Sequence, residues 1–149
     1  MVGPGVAPQH ACVFCAIAAG RAEASVVHED ATVVAFMSLH PVVPGHLLVV
    51  PRQHVVGLED MDVVTGAHVW SVGHRMARAL RRSRLRCEGI NVFLCDGEVA
   101  FQTVFHLHLH VIPRYTGDGW RILPDEVERD RSLLDGEARA IRDALASEG

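Results

Sequence analysis

The chain contains no lysine, and all fourteen of its basic residues are arginine. That excludes a Schiff-base lysine, a lysine nucleophile and the phosphate-binding lysine of a P-loop. Covalent chemistry would then fall to His, Ser, Thr, Cys or a carboxylate. The arginine inventory reads equally well as a compositional bias. No apolar run approaches the roughly 20 residues that a membrane-spanning helix needs. The stretch Met1–Ala11 has neither the basic start nor the apolar middle of a signal peptide, so a soluble, cytoplasmic protein is expected. The net charge of −4 supplies no basic field, and nucleic acid is not expected as a partner. Of the four cysteines, Cys87 and Cys95 lack metal-ligand spacing and read as ordinary thiols of a reducing compartment. There is no internal repeat and no low-complexity linker.

Against these absences, residues 106–112 stand out: His-Leu-His-Leu-His-Val-Ile. The alternation has the period of a β-strand, so Leu107, Leu109 and Val111 point to one face. His106, His108 and His110 point to the other, where imidazoles gain little from burial and titrate near neutrality. Neighbours two apart on a strand are roughly 6.6 Å from each other, and the outer pair roughly 13 Å. With Zn–N bonds of about 2.0–2.1 Å, adjacent histidines could share an ion, but all three around one tetrahedral metal fit badly. A division of labour is the better reading, against a bland alternative of a partly exposed histidine ladder.

The 149 residues, 49% of them apolar, suffice for one compact domain. Residues 1–11 read as a flexible N-terminus and 12–149 as the domain, with 116–149 as its C-terminal tail. A short helical stretch follows Cys12 up to Gly20. Strands are predicted at 25–29, 32–36, 46–50, 90–94 and 105–112, with Pro51 ending the third. The loop Pro41-Val-Val-Pro44-Gly45 delivers the chain into His46. One long helix is predicted over 62–86, with Val69, Val72, Met76, Ala79 and Leu80 at helical spacing and Asp60 or Asp62 as its cap. Its arginines (Arg75, Arg78, Arg81, Arg82, Arg84) read as a solvated face. The polar tail turns helical towards its end, with Ile141 and Leu145 as apolar contacts. The class is α+β: about five antiparallel strands, one long helix and a shorter C-terminal helix.

These motifs together resemble the histidine triad family of nucleotide hydrolases and transferases. The resemblance rests on the triad, on Pro44-Gly45-His46 running into Leu-Leu-Val-Val-Pro51, on Gln102-Thr103-Val104 and on Pro113-Arg114-Tyr115. It implies that His108 attacks the α-phosphorus of a bound purine nucleotide and forms a covalent nucleotidyl-histidine. A backbone carbonyl on its other ring nitrogen would hold it neutral and correctly tautomerised. His110 and His46 would flank the phosphate, and Gln102 and Thr103 would hold the departing atom. Asn91 matches a phosphate- or sugar-side amide of relatives, or else caps a turn. The resemblance also implies a homodimer joined across the long helix and neighbouring strand.

Cys12-x-x-Cys15 by its spacing is ambiguous between zinc and thiol redox. Bacterial members of the family complete a structural zinc site from such a pair with two histidines, here His54 and His106. For the nucleoside, the resemblance points to Phe36 and Ser38, and Phe14 and Ile17 are candidate base contacts or simply core. Two positions depart from the family pattern. Ser38 stands where relatives often carry Asp or Asn for the ribose, and Phe101 where they usually carry glycine. Phosphoramidates or related conjugates of purine nucleosides are the expected substrates. Dinucleoside polyphosphate hydrolysis and nucleotidyl transfer are the enzymatic alternatives, and a zinc-stabilised nucleotide-binding module is the non-enzymatic one.

Overall fold

The computed structural model describes residues 11–148. The expectation of a flexible N-terminus falls almost wholly outside that range. Helix α1 (Val13–Ala18) is followed by strands β1 (Val26–Glu29), β2 (Val33–Met37) and β3 (Leu47–Pro51). Then come the long helix α2 (Val63–Arg82), strands β4 (Gly89–Leu94) and β5 (Leu109–Arg114), and helix α3 (Arg131–Ala146). The five strands form one antiparallel sheet in the order β1-β2-β3-β5-β4. The α+β class with five antiparallel strands is the one expected from the sequence.

Both faces of the central strands are buried, which explains their continuous apolar reading. Val33, Ala35, Leu47, Val49, Leu109 and Val111 pack under Val69, Val72, Met76 and Leu80 of α2. Val34, Phe36, Leu48 and Val50 pack on the opposite face with Cys12 and Phe14 of the α1 region. Gly73 permits the close approach of α2, since a Cβ there would lie 2.5 Å from Leu109 Cδ2. Asp62 caps α2, its Oδ2 accepting from Thr65 N at 2.9 Å. The helix ends earlier than predicted, at Arg82, where the Ser83 hydroxyl donates to the Leu80 carbonyl. Arg75, Arg78, Arg81 and Arg82 of the helix are exposed, as is Arg84 just beyond its end.

Three expectations need correction. The last strand begins at Leu109, not Phe105, because Leu107 N donates to Val55 O at 2.7 Å instead of joining the β3 ladder. The histidine face of this segment is not an open one: His106 and His108 are buried beneath α1. Ile141 and Leu145 are exposed, and α3 buries no residue among those described. The stretch from Gly117 to Asp130 has no regular secondary structure and is mostly exposed.

Candidate functional site

Register places the histidines. His110 pairs with Leu48 of β3 on one side and with Phe93 of β4 on the other, so it lies on the α1 face of the sheet. His46, just before β3, reaches across to it: the two rings meet through His46 Nε2 and His110 Nδ1 at 2.9 Å. Proton positions follow from the outer end of this pair. Val42 N–H donates to His46 Nδ1 at 3.2 Å, so the proton of a neutral His46 sits on Nε2. His46 therefore donates to His110 Nδ1, and the proton of His110 is left on Nε2. His108 has the opposite arrangement. Its Nδ1 lies 2.7 Å from the His106 carbonyl and must donate to it, which leaves Nε2 with a free lone pair.

Burial keeps these rings neutral. Desolvation lowers the pKa of His108, outweighing the upward pull of its carbonyl partner. It also lowers His46, helped by the nearby His108. His110 is pushed down to about 4, first by desolvation and then by His108 and His46. A neutral imidazole with a bare Nε2 is a nucleophile, and a neighbouring imidazole presenting N–H is a hydrogen-bond donor to an anion.

His106 faces elsewhere. Its Nε2 lies 2.8 Å from the Pro51 carbonyl and donates to it, which leaves Nδ1 bare. That Nδ1 lies 3.4 Å from Cys12 Sγ and 3.5 Å from Cys15 Sγ, and His54 Nδ1 lies 3.2 Å from Cys15 Sγ. One donor atom from each of Cys12, Cys15, His54 and His106 lies within 4.8 Å of all the others. Tetrahedral zinc with bonds of about 2.3 Å to sulfur and 2.0–2.1 Å to nitrogen separates S and N by about 3.6 Å. The observed spacings fit such an ion. Burial, then the neighbouring Cys12, pushes the Cys15 thiol up to about 11, so two thiolates here call for a cation. His54 Nε2 is buried without a hydrogen-bond partner, so protein hydrogen bonds alone do not set that ring. The donor set is the closed kind that leaves no position for substrate, and it would tie α1, the stretch after β3 and the triad segment together. His106 thus lies in the Cys/His cluster, whereas His108 and His110 lie together with His46.

The HIT domain family model matches residues 19–117, and an uncharacterized HIT-like protein of Mycobacterium tuberculosis is 39% identical over 137 residues. That alignment covers 92% of this chain and 94% of the relative. The chain belongs to the HIT domain family. The crystal structure of a Zn-bound histidine triad family protein from Mycobacterium smegmatis is 41% identical, with a TM-score of 0.72 over 95% of this chain and 100% of that one. A HIT family protein from Bacillus anthracis is 34% identical, with a TM-score of 0.84 over 90% of this chain and 96% of that one. Family membership and the HIT fold are thus shown together.

Within this HIT domain the other candidate residues divide. Phe14 and Phe36 are core residues, packed edge to face at 5.4 Å, and Phe14 also lies 5.1 Å from the His108 ring. Ile17 packs on the same cluster. Ser38 is half-buried beside the site, its N–H bonded to the His46 carbonyl at 3.0 Å. Thr103 is exposed. Gln102 is buried and occupied: Nε2 donates to the carbonyls of Val56 and Val104, and Oε1 accepts from Gly97 N. It braces the loop ahead of the triad instead of facing a leaving group. Asn91 Oδ1 accepts from Arg114 NH1 at 2.8 Å, so this amide is engaged with the end of β5.

Sequence reading missed Phe93, whose ring stacks on His110 at 4.8 Å and 24°. Nothing in the spacing marks it, because the pairing of β4 with β5 is set by tertiary register. It also missed the cluster in which Asp30 Oδ2 meets Nε2 of both His28 and His68, at 3.0 and 2.8 Å. Two backbone N–H donors, from Thr32 and Val33, complete the shell of that carboxylate.

Proposed function

We propose that the protein is a nucleotide hydrolase that cleaves at the α-phosphate of purine nucleoside phosphoramidates or related conjugates. The observation that carries this reading is the pairing of opposite tautomers: a bare Nε2 on His108 beside an Nε2–H on His110. His108 Nε2 forms a bond to the α-phosphorus as the bond from phosphorus to the amine or oxygen leaving group breaks. His110 donates to a phosphoryl oxygen, His46 holds that ring in the donating tautomer through its bond to His110 Nδ1, and a donor on the open side, with the exposed Thr103 as the candidate, protonates the leaving group. Water then attacks the phosphorus and breaks the P–N bond, returning His108 and releasing the nucleoside monophosphate. The nucleoside would lie along the half-buried Ser38 and Ile17, with Phe14 and Phe36 beneath them in the core.

The metal reading belongs to the same proposal. Cys12, Cys15, His54 and His106 hold a structural zinc ion, which supplies cross-linking and takes no part in the reaction. A homodimer is proposed as well. β4 is an edge of the sheet, and Val63, Val64 and Trp70 of α2 are exposed apolar residues that a second copy would cover. Among the described residues no helix is long and apolar enough to cross a membrane, and the cytoplasm is the proposed location.

The test is early-quench intact mass spectrometry after mixing with adenosine phosphoramidate or a dinucleoside polyphosphate. A nucleotidyl adduct that His108→Ala abolishes, with nucleotide binding retained, is expected. Faster turnover of the dinucleoside substrate would move the assignment to that branch. Folded, zinc-loaded protein that gives neither adduct nor turnover would make the chain a binding module.

A further inference from the structure

His110 is the inner end of an aromatic stack that leads away from the site. Its imidazole lies 4.8 Å from Phe93 at 24°, and Phe93 lies 5.9 Å from Trp120 at 23°. Trp120 belongs to the turn after β5, and the reason it is held there is visible. Arg114, the last residue of β5, closes the turn with both ends of its guanidinium. Its Nε and NH2 donate to the two carboxylate oxygens of Asp118 at 2.8 and 3.0 Å, and NH2 also donates to the Trp120 carbonyl. Its NH1 donates to Asn91 on β4. Asp118 in turn accepts from the backbone N–H groups of Tyr115 and Trp120, both at 3.1 Å. The guanidinium carbon lies 4.8 Å from the centre of the Trp120 ring, a cation–π distance.

We infer that Trp120 is a positioning residue for His110: held by the Arg114–Asp118 turn, it backs Phe93, and Phe93 fixes the plane of the catalytic imidazole. The inference rests on the proposed role of His110 at the phosphate. Among the described residues the Trp120 ring meets Phe93 and the Arg114 guanidinium, so it acts on His110 through Phe93. The opposite side of His110 is bounded by His108, whose ring centre is 4.8 Å away, and by the hydrogen bond from His46. The imidazole is thus held between two polar rings and one apolar ring, with Nε2–H as its outward group. Without Trp120, Phe93 is free to tilt into the vacated space. His110 then gains freedom about its last side-chain torsion, and the alignment of Nε2–H with a bound phosphate is lost. Ground-state binding of the nucleoside, on the far side of the triad, is left intact.

Trp120→Ala and Trp120→Phe test this with adenosine phosphoramidate as substrate. The alanine variant is expected to lose about three- to tenfold in kcat, the factor that one lost aromatic pair corresponds to, with KM changed less than twofold. The phenylalanine variant, which keeps a ring against Phe93, is expected to recover most of that loss. NMR of the His110 ring supplies a readout independent of turnover. In Trp120→Ala its titration midpoint should rise towards the ordinary histidine value as cover is removed. The titratable groups facing His110 are His108 and His46, and Phe93 contributes no charge. A purely structural Trp120 would lower the melting temperature while leaving kcat and the His110 resonances as in wild type, and that result would overturn the inference. If Trp120→Ala does not fold, Phe93→Leu decides: wild-type kcat overturns the inference, and the same selective kcat loss supports it. Should the wild type turn over no nucleotide, the proposed function fails, while the NMR comparison still accepts or rejects the stack.

Discussion

Gly45 carries the chain into His46, and replacing it with alanine tests how tightly that histidine is placed. Gly45 has φ of +92°, a conformation that side chains rarely adopt, and a Cβ there would meet Pro113 Cγ at 2.8 Å and Leu85 Cδ1 at 2.9 Å. Leu80 Cδ2 stands 3.4 Å away behind them. The left-handed conformation costs an alanine about 1–2 kcal/mol. Overpacking against a rigid proline ring and two leucines adds about 1–3 kcal/mol. Gly45→Ala should therefore destabilise by about 2–5 kcal/mol, or roughly 10 °C in melting temperature at this chain length. Gly20→Ala is the matched control, since Gly20 has φ of +72° and nothing within 4 Å of its Cβ position. Both variants share the backbone strain and the reduced entropy of the unfolded chain, so their difference isolates the packing. Urea unfolding of the two variants, with unchanged m, should separate them by about 1–3 kcal/mol. Gly45→Ala should also lose nucleotide turnover, because His46 moves off His110, whereas Gly20→Ala should keep it. Equal midpoints for the two variants would refute the claim that Pro113 and Leu85 confine the loop.

Two further outcomes follow from the site. Cys15→Ala should reduce zinc from one ion per chain to almost none by elemental analysis, while His108→Ala and His110→Ala keep it; zinc lost with His108 would place the metal in the triad instead. The folded pKa of His110, at about 4, lies below its unfolded value of about 6.5, so its contribution is full above pH 6.5 and lost as the pH falls to about 4. Over that window wild type should lose about 3 kcal/mol more stability than His110→Asn in urea titrations, and parallel curves would show that His110 is not buried as a neutral ring.

How far the sequence reaches depends on the range of the interaction. Strand and helix identities were legible because burial on both faces of β2 and β3 leaves runs such as Leu47–Pro51. The apolar stripe of α2 is local too, and only the ends moved, where Ser83 stops the helix and Val55 captures Leu107. The alternation His106, His108, His110 is a local property, and it already implied separate tasks for neighbouring rings. The Cys12-x-x-Cys15 spacing is local too, but by itself it leaves zinc and thiol redox open, and the metal reading comes from the resemblance to the histidine triad family.

Tertiary structure decided what each ring does. The proton on His110 is placed by Val42 and His46, which lie more than sixty positions earlier in the chain. Gln102 and Asn91 look like site amides in sequence, yet the backbone around Val56 and the guanidinium of Arg114 occupy them. Phe93 and Trp120 carry no local signal, because their stacking exists only once β4 lies beside β5 and the turn after it closes. Periodicity and spacing are written along the chain and select elements and ligand types. Tautomer, burial and stacking depend on which atoms meet across the sheet, and only the folded chain brings those atoms together.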